Sequence, residues 1–305
     1  MTLPRLQLSV IGDEIGPTLD EMISFAHEHG LKYLDMRTVG GRSLLAMTDD
    51  EVIQISRTLE KAGISVPAFV SPLFKWLPKD CVGTGDKPDF GFDPAQCPEE
   101  EMITHAMQIA VILGAPHLRI FSFLRFRGFT NAHIMHEDFV KLYGLASHYD
   151  VTLQLENEPV CNVGTIAGLA DFFRWYEEAR LLSASEDEFE QRPVGEEEIY
   201  LKPLIDFANS YAAGERASDA DLDTLAPLVT AIHLKDRDLK AGRTVPFGEG
   251  DIPWADELQR LLTRAKAPEI LASIETHCPD DSRAATARAV AGFRRIAAEI
   301  GVEVV

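Results

Sequence analysis

Four residues of this chain have the donor types of a divalent-cation site, and each stands at the end of a short apolar run. They are Glu156 in VTLQLENEP, Asp206 in LKPLIDFAN, His233 in VTAIHLKD and Glu275 in EILASIETH. Three carboxylates and one imidazole suit a fairly hard divalent ion. Mn2+ is the first expectation, with Mg2+, Co2+ or Zn2+ also suited. Taken singly, each residue has an ordinary reading as a capping acid or a satisfied polar group of the core. Taken together, in register on successive runs, they would repel one another in a shared site unless a cation joined them.

Those runs alternate with helical patterns. Leu6–Ile11 reads as the first strand, Leu31–Met36 as the second, ISVPAFV as the third and HLRIFSF as the fourth. Val151–Leu155, LKPLIDF, VTAIHL and EILASIE follow as the fifth to eighth. Between them lie helical stretches at Thr18–His29, Asp49–Ala62, Pro98–Leu113, Ala132–Tyr149, Thr165–Glu178, Asp219–Leu225, Trp254–Ala265 and Ser282–Ile300. The first two end at Gly30 and Gly63, as helix stops do. Alternation of this kind with no break in composition predicts a single-domain α/β chain, a (β/α)8 TIM barrel over residues 1–305. Parallel strands covered on both faces read as continuous apolar runs, as these do. Neighbouring strands lie about 5 Å apart, so four strand ends can converge on one point at the mouth where barrels bind ligands.

Two stretches interrupt the rhythm. Ser71–Cys97, rich in Pro and Gly, follows a strand and is expected at the mouth as a lid or substrate-shaping loop. Ala179–Tyr200 carries SEDEFE and GEEE, precedes a strand, and is expected as a solvated acidic excursion at the other end.

Composition narrows the classes. The 305 residues are 46% hydrophobic with a net charge of −20, which suits one large core and disfavours a nucleic-acid partner. No apolar stretch is long enough to span a membrane, and the start MTLPRLQLSVIGDE does not read as a signal peptide. Four scattered cysteines without a CxxC pair fit a reduced, cytoplasmic protein and not a cysteine-based zinc site.

Beyond the quartet, LEN at 155–157, IHLKD at 232–236, VPFGEGDIPW at 245–254, IET at 274–276 and IDFANSYAAGE at 205–215 carry a family resemblance over nearly the whole chain. The sequence resembles the xylose-isomerase-like TIM barrels, the sugar phosphate isomerase/epimerase superfamily. DEIG at 13–16 and DMR at 35–37 look like its first two strand ends, although Asp35 stands where many relatives carry Glu. The resemblance implies that Glu156, Asp206, His233 and Glu275 hold one divalent metal and that Glu156 and Glu275 act as the catalytic bases. It implies a small sugar or polyol substrate, with a homodimer in keeping with relatives that pair.

With a metal on a hydroxyketone, proton removal beside the carbonyl is eased. Two bases on opposite faces give epimerisation, one base serving adjacent carbons gives isomerisation, and a leaving hydroxyl gives an inosose-type dehydratase. A different class is a barrel that binds a sugar or metabolite without turning it over. An endonuclease IV-type nuclease shares the fold, but needs a histidine-rich trinuclear zinc centre that this sequence does not offer.

Glu158, Asn209, Lys235, Arg119 and Trp76 are the expected substrate contacts. Glu158 lies on the side of Glu156, and Trp76 with Phe74 would stack on a sugar face. Lys235 would meet an oxyanion or pair with Asp236, while Arg119 has a rival reading as a buried ion-pair member. Asn209 stands where the ketose 3-epimerases usually have His, which weighs against a free-ketohexose epimerase.

Overall fold

The structure is a computed structural model that describes residues 3–85, 99–186 and 200–305. Twelve strands are present among these residues: β1 (Arg5–Ile11), β2 (Leu34–Asp35), β3 (Thr38–Val39), β4 (Arg42–Ser43), β5 (Ala68–Phe69), β6 (His117–Ile120), β7 (Thr152–Glu156), β8 (Leu201–Asp206), β9 (Ala231–Leu234), β10 (Asp236–Asp238), β11 (Arg243–Val245) and β12 (Glu269–Ile274). Eight of them form one parallel sheet in the order β2-β1-β12-β9-β8-β7-β6-β5. Backbone bonds from Met36 N to Ala68 O (3.0 Å) and from Val70 N to Met36 O (2.9 Å) join the two ends. The result is a TIM barrel, as the alternation of runs predicts.

The helices are α1 (Leu19–Glu28), α2 (Asp49–Lys61), α3 (Glu99–Leu113), α4 (Glu137–Tyr149), α5 (Ile166–Glu186), α6 (Phe207–Ala212), α7 (Asp219–Leu225), α8 (Trp254–Leu262) and α9 (Ser282–Glu299). Helix α2 is capped one residue before the expected Asp49. Thr48 accepts from Glu51 N while Glu51 reaches back to Thr48 N, a reciprocal pair that leaves neither donor orphaned. Gly63 follows this helix at φ +71°, where a side chain would be strained.

Three features depart from the alternation. The expected second and third strands shrink to two residues each, β2 and β5. Helix α6 begins directly where β8 ends, and the hairpins β3/β4 and β10/β11 stand outside the barrel sheet. These elements are too short for a periodic signal of their own.

The outward faces of the strands, with Leu8, Val10, Leu118, Leu153, Ile205, Ile232 and Ile270, pack with the helices into the main core. Inside the barrel a small cluster of Ile11, Ala68, Val70, Leu204, Ala231 and Leu271 supplies apolar filling. The rest of the interior is polar, and Ser9, Asp35, Arg119, Gln154 and Ser273 are all buried. No helix among the described residues is long and apolar enough to cross a membrane.

The described part of the Ser71–Cys97 stretch is tied down. Phe121 N donates to Leu73 O, Leu124 N to Trp76 O and Thr84 N to Arg125 O. This pins the segment after β5 to the segment after β6 rather than leaving a free-standing lid, and residues 86–97 lie outside the described residues. In the acidic stretch α5 runs on to Glu186, eight residues past its expected end at Glu178, and 187–199 are likewise outside the description.

Candidate metal centre

Glu156, Asp206 and His233 end or nearly end β7, β8 and β9, and Glu275 follows β12 by one residue. Asp206 pairs with His233 in register, and Ser273, two residues before Glu275, pairs with His233 from the other side. One ligand atom from each of the four residues lies within 4.8 Å of the others, and all four residues are buried. His233 Nδ1 is 3.2 Å from Glu156 Oε1 and 3.3 Å from Glu275 Oε2.

Each carboxylate has one oxygen held by the protein and one turned to the centre. Arg119 donates to Glu156 Oε2 (3.1 Å), Arg37 to Glu275 Oε1 (2.9 Å) and the Asn209 amide to Asp206 Oδ1 (2.9 Å). The opposite oxygens of Asp206 and Glu275, Oδ2 and Oε2, are buried without a hydrogen-bonding partner. Both lie at ion-pair distance from the Lys235 ammonium, and oxygens converging in this way beside an imidazole are the donor set a divalent cation can use. Outer partners that orient ligands are the usual support of a metal site.

The electrostatics agree. In this ion-paired network Asp13, Glu14, Glu156, Glu158, Asp206 and Glu275 face the permanent cations Arg37, Lys75, Arg119 and Lys235. Carboxylates thus outnumber the permanent cations in this network. Burial alone would lower the imidazole pKa of His233, but the carboxylates of Glu156 and Glu275 override it and push it up to about 10. Burial raises the Asp206 carboxyl to about 6, against the pull of Lys235. For Glu156 burial is outweighed by His233 and Arg119, which hold it near 2. The proton the site keeps on His233 is one that a metal would replace.

Local sequence explains the placement. Asn157 in the LEN motif clips β7 to β8. Its Nδ2 donates to Asp206 O (2.8 Å) and its Oδ1 accepts from Asp206 N (2.9 Å), which fixes Glu156 and Asp206 at a common height. Asp236 accepts from the N–H groups of Arg237, Gly248 and Gly250 and so gathers the GEGD turn under the mouth. Gly248 has a positive φ, +84°, whereas Gly250 is required for space, because a Cβ there would run into the Asp236 carboxylate and the Arg237 carbonyl. Glu249 meets Arg288 at the surface.

The expected substrate contacts divide. Lys235 does not pair with Asp236. Its Nζ lies 2.8 Å from Asp206 Oδ2 and 2.7 Å from Glu275 Oε2, inside the quartet. Glu158 stands 3.4 Å from Lys75. Arg119 is the buried ion-pair member, on Glu156 and over the Phe121 ring at 4.5 Å. Asn209 turns its side-chain amide to Asn157 O (2.8 Å) and, at 3.5 Å, to Glu156 Oε1. Trp76 is buried, with its ring 5.8 Å from that of Phe74.

Of three further participants, Arg37 and Glu14 carry no role in the sequence reading, and His277 is a polar candidate there only as the residue two after Glu275. Arg37, in the DMR motif, joins Asp13 (3.0 Å), Glu14 (2.7 Å) and Glu275 (2.9 Å). Glu14, in DEIG, also accepts from His277 N, and His277 Nε2 reaches Glu275 Oε1 at 3.1 Å. Glu14, Glu275 and His277 form a second group of converging donors, but Arg37 already supplies their positive charge. The signal for Arg37 and Glu14 was their place at the ends of the first two strands.

The family model for the xylose isomerase-like TIM barrel matches residues 23–296. No curated protein matches the chain significantly. Among solved structures, the IOLI protein with a binding zinc atom shares 15% identity at a TM-score of 0.65, over 96% of this chain and 97% of that one. D-psicose 3-epimerase in the presence of D-fructose shares 12% at 0.59, over 97% and 99%. The probable 3-DHS dehydratase AsbF of Bacillus anthracis shares 13% at 0.57, over 94% and 97%. At such identities these likenesses speak for the fold. With the family model spanning nearly all of it, the chain belongs to the xylose isomerase-like TIM barrels.

Proposed function

We propose that this protein is a divalent-metal-dependent isomerase or epimerase that moves a proton at the carbon beside a carbonyl of a sugar or polyol. The observation that carries this reading is the buried quartet, whose three carboxylates and one imidazole bring one ligand atom each within 4.8 Å of the others. The ion, Mn2+ before Mg2+, Co2+ or Zn2+, would be held by Glu156, Asp206, His233 and Glu275, and when bound it supplies Lewis acidity to a substrate oxygen.

The chain's own residues do the rest. Glu156 and Glu275 come from strands separated by β8 and β9, so they approach a bound substrate from two sides. Arg119 and Arg37 orient them, each with one oxygen toward the centre. One carboxylate takes the proton from the acidified C–H, and the other returns one on the opposite face in an epimerase. In an isomerase a single carboxylate serves both carbons.

Protein stripped with chelator, loaded with Mn2+ and desalted should retain about one ion per chain, and His233→Ala should lose it. Turnover of ketoses and inososes in D2O should then place deuterium at the carbon beside the carbonyl. Loss of water from an inosose would identify a dehydratase using the same groups. Wild-type protein that retains no metal would overturn the reading.

A further inference from the structure

The ammonium of Lys235 lies within ion-pair distance of Asp206 Oδ2 (2.8 Å) and Glu275 Oε2 (2.7 Å). These are the oxygens of Asp206 and Glu275 that face the centre of the quartet, so the ammonium stands among the donors that would hold a metal. A lysine ammonium is a compact point charge on a flexible stem and can move as a unit. The stem here leaves the chain two residues beyond His233, on the same side of an extended backbone, and is buried. By contrast, Arg37 and Arg119 hold the outer oxygens, Glu275 Oε1 and Glu156 Oε2, where they leave the centre open.

We propose that Lys235 is a tethered counter-cation that fills the centre of the metal-free protein, and that an entering divalent ion displaces its ammonium toward the substrate side of the mouth. The inference rests on the metal reading of the quartet. Two cations do not share the same two carboxylate oxygens at contact distance without strong repulsion, so occupancy by one expels the other. Lys235 therefore weakens metal binding while protecting the metal-free fold. In the loaded protein it becomes a mobile cation beside the metal, placed to meet a negatively charged substrate oxygen.

The test uses full-length protein. Mn2+ affinity is measured by calorimetry on stripped wild type and Lys235→Met, and Lys235 is probed in wild type by reductive methylation read by mass spectrometry, with and without Mn2+. Lys235→Met is expected to bind Mn2+ at least about tenfold more tightly, and Lys235 to be shielded in stripped protein and methylated once metal is bound. Melting temperatures add an independent reading: stripped Lys235→Met should melt below stripped wild type, while the loaded forms should melt alike. Mn2+ bound equally tightly by both proteins, with Lys235 shielded throughout, would overturn the displacement and leave the metal site standing. Failure of both proteins to bind Mn2+ would overturn the metal reading and this inference with it.

Discussion

The two faces of the barrel strands are equally shut away from water and are built from opposite chemistry. In β9, Ile232 belongs to the core shared with the helices, whereas His233 faces the carboxylates of Glu156 and Glu275. In β8, Ile205 looks outward while Asp206 meets Lys235. The outward face is held by non-directional burial, so its residues are exchangeable within limits of volume. The inward face at the mouth is held by pairing, where each charge depends on named partners and the removal of one exposes the rest. Apolar packing is thus assigned to one face and paired charge to the other, on adjacent residues of the same strand.

That contrast can be pressed from both sides. The largest effect is expected from Glu275→Gln, which keeps an acceptor for Arg37 but removes the base. At saturating Mn2+ turnover should fall about 10²–10⁴-fold, and full turnover would remove Glu275 from the chemistry. Next comes Arg37→Met. It leaves Asp13, Glu14 and Glu275 without their shared cation and should cost about 3–5 kcal/mol in urea unfolding of stripped protein. An unchanged midpoint would mean that the mouth tolerates unpaired carboxylates, and the contrast between the faces would lose its basis. The smallest effect is expected from Ile232→Ala on the outward face. It should cost about 2–5 kcal/mol of stability yet leave Mn2+ affinity within about twofold, which calorimetry would show. A large loss of metal affinity there would mean the two faces are coupled.

How far each feature was legible depended on the range of the forces behind it. Helices such as α2 and α9 and the strand ends bearing the quartet announce themselves through local periodicity and abrupt polar residues after apolar runs. The two-residue strands β2 and β5 do not, because they owe their existence to backbone partners more than twenty residues away, Leu34 with Val10 and Ala68 with His117. Asp35 reads as an unremarkable family variant until the fold encloses it, where burial raises its carboxyl to about 6 beside Ser9 and Ser273. Gly250 looks like a turn residue, and its need for space appears only when the Asp236 carboxylate is folded beneath it.

The chain's residue order settles the alternation of elements, the barrel, and the identities of the four candidate ligands, because each follows from local pattern and from strand ends meeting at one mouth. Partnership is another matter. Arg37 on Glu275 spans 238 positions and Arg119 on Glu156 spans 37, and nothing in local spacing distinguishes such pairs from surface salt bridges. Lys235 illustrates the same limit, since its neighbour in sequence, Asp236, is engaged by backbone amides of a distant turn while its ammonium lies across the barrel on Asp206 and Glu275. Side-chain direction in a closed barrel is decided by register and shear around the whole sheet, and so which charge meets which is a property of the assembled fold.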